Sequence, residues 1–164
     1  MNLLILLVAA LGFSAPSTRS NFSGTWNLDK KHSTNLPASF ASVESYLLDI
    51  AQAPDSMTAV ARMAGSGQKV TFPVAVYRFN GSEVFREDME RHIRRWVTCS
   101  WQTTGKKLVV NSRVEQQIGP IPTRYTQRDV WQMLDARTLQ ISITQTFEGK
   151  DSTHSERRVF KRHK

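Results

Sequence analysis

The sequence predicts an all-β chain: an antiparallel up-and-down β-barrel of eight to ten strands with little helix. Three observations predict it. Beyond residue 21 apolar and polar residues alternate with period two, and turn residues interrupt them at short intervals. Asn80-Gly81 is a strong hairpin signal, because that dipeptide suits the positive φ angles of a type I′ turn. A meander of so many hairpins also leaves two exposed edges unless it closes on itself. An open sandwich is the alternative arrangement.

The elements follow in order. Phe22 to Leu28 reads as the first strand. Phe40, Val43, Leu47 and Ile50 lie at helical spacing after Pro37, yet Tyr46, Leu48 and Ile50 alternate as a strand. A short helical or irregular piece before about residue 43, then a strand to about 52, is expected. Further strands are predicted at 57–64, 69–79, 82–87, 92–103, 106–117, 123–134, 138–147 and 152–162. Thr104-Gly105, Gly119-Pro120 and Asp135-Ala136-Arg137 mark turns between them. The cleanest alternation is in 139–147. Leu139, Ile141, Ile143 and Phe147 share one face with Gln145, and Gln140, Ser142, Thr144 and Thr146 share the other. Leu108, Val110 and Val114 repeat the pattern, with Lys107, Asn111 and Arg113 outward. The bulky Phe72, Trp96, Trp101, Trp131, Phe147 and Phe160 are candidates to fill the interior.

Ahead of the strands, Leu3 to Leu11 is an unbroken apolar run of nine residues. It is far short of the roughly 20 residues that span a bilayer and matches the apolar region of a secretory signal. Gly12 and Ser14 then hold the −3 and −1 positions of a cleavage after Ser14. The expected organisation is a signal peptide over 1–14, a short leader over 15–21 and one barrel domain over 22–164. The expected location is secreted or periplasmic. The single cysteine excludes an internal disulfide framework and a multi-cysteine zinc site.

No catalytic constellation appears. His92 and Cys99 are an odd number of residues apart on one strand, so they face opposite sides and share no metal. Cys99 follows the alternation of Val97 and Trp101, which makes it core filler. Glu87, Asp88 and Glu90 stand beside Arg86 and Arg91, a pattern of surface ion pairs at a solvated turn. No cofactor and no enzyme activity are expected. The chain carries 22 Lys and Arg against 14 Asp and Glu, a net charge of +8. The excess clusters at Arg91, Arg94 and Arg95 beside Trp96, and at Arg157, Arg158, Lys161, Arg162 and Lys164. It suits an anionic membrane surface, and equally a solvated face that keeps the protein soluble. No nucleic-acid motif accompanies it, so nucleic acid is not an expected partner.

Asn21-Phe22-Ser23-Gly24-Thr25-Trp26 resembles the opening Gly-x-Trp strand of the calycins, the superfamily of lipocalins and fatty-acid-binding proteins. More closely, the chain is similar to bacterial exported lipocalin-like domains. Asp29-Lys30-Lys31, Phe79-Asn80-Gly81, Lys107-Leu108-Val109, Asp135-Ala136-Arg137-Thr138-Leu139 and Val159-Phe160-Lys161 carry that likeness across 21–162. Ala136 departs from it, replacing a turn glycine. The resemblance implies that Trp26 plugs one end of the barrel, that Gly24 allows close approach there, and that a C-terminal arginine covers the indole. Arg157, Arg158 and Arg162 are the candidates. It also implies that Arg158 and Phe160, which share a face of the last strand, contact a ligand; Phe160 lacks the hydroxyl of the Arg-x-Tyr pattern they resemble. The expected function is that of an exported barrel holding a lipid or other apolar small molecule, with or without an acidic head. The alternative is a non-enzymatic barrel filled by its own side chains and acting through its basic surface. The sequence leaves the oligomeric state open.

Overall fold

The computed structural model describes residues 19–117 and 119–163. The signal expected over 1–14 lies outside them, and of the leader only Arg19 to Asn21 is described. Eleven strands form one antiparallel sheet: β1 (Gly24–Leu28), β2 (Ser45–Gln52), β3 (Ser56–Gly65), β4 (Gln68–Thr71), β5 (Ala75–Arg78), β6 (Val84–Asp88), β7 (Ile93–Trp101), β8 (Lys107–Gln117), β9 (Pro122–Asp135), β10 (Thr138–Phe147) and β11 (Thr153–Arg162). The only helical piece among the described residues is a 3₁₀ turn over Ala38–Ser42. The sheet runs β4-β3-β2-β1-β11-β10-β9-β8-β7-β6, with β5 also on β3. It is strongly curled into an open half-barrel.

The strand count exceeds the expected eight to ten, and one residue accounts for it. The run 69–79 breaks at Phe72-Pro73-Val74, because Pro73 has no N–H to give the ladder. Thr71 pairs with Arg62 and Ala75 with Ala59, so four steps on one side answer three on β3. This is a β-bulge. Taking β4 and β5 as one interrupted strand gives ten.

Asn80-Gly81 does turn the chain, but it closes no hairpin. Gly81 has φ of 77°, whereas Asn80 stays out of the positive-φ region and accepts the Ser82 backbone N–H on Oδ1 at 3.0 Å. β5 pairs back onto β3 and β6 onto β7. Among the described residues no ladder joins β5 to β6, so the sheet is open along this seam. Side chains bridge the gap: Arg86 donates to the Val76 carbonyl and lies over Tyr77, and Arg91 lies over Phe72 at 4.9 Å.

Period-two alternation sets the concave face. Leu139, Ile141 and Ile143 pair with Phe160, Arg158 and Glu156 on β11, and with Met133, Trp131 and Asp129 on β9. All six partners therefore face inward. Trp96 corrects an expectation. Val97, Cys99 and Trp101 face inward, so Trp96 faces out, where it packs on exposed Phe85 at 5.3 Å under Arg113 at 5.4 Å. The turn at Ala136 needs no glycine: the Asp135 carboxylate accepts the Arg137 N–H at 2.7 Å, and Ala136 has no positive φ.

The end of the sheet near Trp26 is sealed. Trp26 and Phe22 are fully buried, Phe22 stacks on Trp101 at 5.5 Å, and its edge meets Trp131. Trp26 Nε1 donates to the Phe22 carbonyl at 2.8 Å. Arg162 lies over the indole at 4.6 Å, which settles which arginine covers it. A Cβ on Gly24 would sit 2.8 Å from Arg162 Nη1, and Gly24 has φ of 131°. The backbone at this position calls for glycine, and any Cβ there would also push the guanidinium aside.

Candidate functional site

A cavity of about 410 Å³ lies within the curl above this plug. Small side chains create it. Ala59 and Ala61 on β3 and Ala75 on β5 face inward where larger residues would fill the space. Leu48, Ile141 and Ile143 complete an apolar wall.

Polar side chains stand beside the two isoleucines on β9, β10 and β11. Gln145 and Gln127 are register partners, and Gln145 Nε2 donates to Gln127 Oε1 at 2.9 Å. Gln127 Nε2 in turn donates to Asp129 Oδ1 at 2.9 Å. Burial pushes the Asp129 carboxyl up to about 6, against the lowering effects of the Gln127 hydrogen bond and the charges of Arg95 and Arg158. On β11, Arg158 Nη2 pairs with Glu156 Oε1 at 2.6 Å, and Arg158 lies over Phe40 of the 3₁₀ turn at 5.0 Å. Burial raises the Tyr46 and Tyr77 hydroxyls, offset in part by the neighbouring charges of Arg158 and Arg86 respectively.

Arg86 on β6 and Arg95 on β7 stand directly opposite each other, and both line the cavity. Five buried side-chain polar atoms among the described residues have no hydrogen-bond partner. Four of them, Arg86 Nε, Trp131 Nε1, Glu156 Oε2 and Arg158 Nε, belong to cavity-lining residues. Buried polar groups are ordinarily satisfied, so this concentration marks the cavity as a place where a polar partner fits.

The sequence-predicted residues therefore divide. Gly24 and Trp26 form the sealed end with Arg162. Arg158 and Phe160 both line the cavity, but the Arg158 charge is already held by Glu156. Cys99 is buried, and burial pushes its thiol up to about 12, leaving an unreactive thiol at neutral pH. Asp88 and Glu87 pair with Arg91 and Arg94 on the rim. Sequence reasoning missed Arg86, Arg95, Gln127 and Asp129 as interior residues. The signal for Arg95 was present: it shares parity with Val97, Cys99 and Trp101. No group of three or more His, Cys, Asp or Glu among the described residues could hold a metal ion.

No known family model matches the chain, and no curated protein matches it.

Proposed function

We propose that this is an exported binding protein of calycin type that holds an apolar small molecule, with or without an acidic head, inside its curled sheet. The cavity carries the reading: about 410 Å³, within the roughly 300–1,000 Å³ usual for ligand sites. Its apolar wall and concentrated polar groups match the usual anatomy of such sites. The Gly24, Trp26 and Arg162 arrangement supports the calycin assignment. Export rests on the apolar run Leu3–Leu11 and the small residues after it. Catalysis has no part in the reading.

Native mass spectrometry of gently purified exported protein is expected to show a bound small molecule. Ala61→Trp is expected to fill the space and abolish both that adduct and the binding of added decanol, with the β-sheet circular dichroism retained. A wild-type protein that carries no adduct and binds no decanol overturns the reading. So does a folded Ala61→Trp variant that binds as the wild type does.

The outer face favours a second role. Phe85 is 53% exposed and, with Trp96 and Arg113, offers aromatic and cationic groups together on a chain of net charge +8. An anionic membrane surface is the fitting partner. Co-sedimentation with anionic but not neutral vesicles is the expected result. Equal recovery with both sinks this role.

A further inference from the structure

We infer that the cavity seats one carboxylate of its ligand between Arg86 and Arg95, with the ligand's apolar body against Leu48, Ala59, Ala61 and Ile141. This rests on the ligand-binding reading above and assigns the polar end of that site.

Charge balance points there first. Three guanidinium groups face inward, those of Arg86, Arg95 and Arg158, against two carboxylates, Asp129 and Glu156. Glu156 is taken by Arg158 at 2.6 Å. Asp129 is hydrogen-bonded by Gln127. The neighbouring carboxylates are also engaged, Glu87 with Arg94 and Asp88 with Arg91. Among the described residues, neither Arg86 nor Arg95 has a carboxylate within ion-pair distance.

Placement argues the same way. Like charges directly opposite on adjacent strands repel, and the repulsion grows in a half-buried site. Arg86 cannot relieve it by swinging into water. It is fixed by the Val76 carbonyl and by the Tyr77 ring at 4.8 Å, with Nε buried and unpartnered. A carboxylate offers two oxygens to such planar forks and removes the repulsion as it binds. Arg158 is the weaker seat, because an incoming anion would have to compete with Glu156.

The test is calorimetry of decanoate and decanol on the full exported chain after co-purifying material has been stripped on apolar resin. Wild type is expected to bind decanoate about tenfold or more tighter than decanol, as charged hydrogen bonds would give. Arg95→Met, and independently Arg86→Met, should remove most of that advantage and leave decanol affinity nearly unchanged. Asp129→Asn, which removes a negative charge from the same cavity, should tighten decanoate severalfold. Equal wild-type affinities for acid and alcohol overturn the carboxylate seat while the binding reading stands. Arginine variants that weaken both ligands alike do the same, since they would show a structural role only. Binding of neither ligand by the wild type overturns the reading on which the seat depends.

Discussion

Replacing Trp26 with alanine is expected to cost about 3–5 kcal/mol of folding stability, the range for truncating a large buried aromatic. The loss has three parts. The indole is fully buried, so its removal opens a hole in the sealed end that Phe22, Leu48 and Phe160 fill only partly. The Phe22 carbonyl loses the indole N–H at 2.8 Å. The Arg162 guanidinium loses the ring beneath it at 4.6 Å and keeps its bond to the Ser23 carbonyl at 3.1 Å. Trp26→Phe should cost less, because a ring remains under the guanidinium and only the donor and part of the volume go. Denaturant unfolding monitored by circular dichroism checks both. An unchanged midpoint for Trp26→Ala would show that the residue is not a structural plug.

Asp129→Asn is expected to act in the opposite direction, stabilising the protein at pH 7 by roughly 3 kcal/mol, the free-energy equivalent of moving a carboxyl from 3.8 to about 6. The raised value means the folded state holds the proton more tightly than the unfolded state. Below pH 3.8 both states are protonated and the carboxyl costs nothing. As pH rises from there through about 6, the folded state must ionise a buried group and stability falls. Above that window the penalty is complete. The groups around Asp129 are Gln127 on its own strand, Arg95 on β7, Arg158 and Glu156 on β11, and the cavity-lining Tyr46 and Tyr77. Asp29, Asp88 and Asp135 have lowered carboxyls that lose stabilisation as pH falls, so the whole-protein profile mixes both signs. The difference between variant and wild-type stability isolates Asp129. It should be near zero at pH 3.5, grow between pH 4 and 6, and then level off. A difference independent of pH would reject a raised Asp129.

The strands were legible in the sequence because each buries one side, and period two reports that directly. β2 was legible for the same reason, and the short 3₁₀ turn before it through Pro37 and the helical spacing that follows. Asn80-Gly81 misled because turn propensity speaks only to the local bend. Which strands pair beyond that bend depends on the curl of the whole sheet and on the bulge at Pro73. Trp96 misled because size was weighed above parity. A tryptophan can lie outside when an exposed phenylalanine and an arginine cover it. The sealed end was legible through Gly24 and Trp26. The choice of Arg162 required the register of β1 against β11, where Trp26 faces Arg162. The polar cavity was the least legible part. A buried arginine or aspartate looks like a surface residue until its strand is placed, and the alanines that open the space carry no motif.

The seam beside Arg86 and Arg91 separates two energy scales. Elsewhere around the curl, parting neighbouring strands breaks successive backbone rungs and is tantamount to unfolding. Among the described residues no ladder joins β5 to β6, and side chains bridge them: Arg86 bonds to Val76 and lies over Tyr77, and beside them Arg91 lies over Phe72. Phe72, Arg86 and Arg91 also border the cavity. Parting the wall at this point therefore gives up side-chain contacts and no ladder rungs, so the lifetime of this seam is decoupled from the lifetime of the fold.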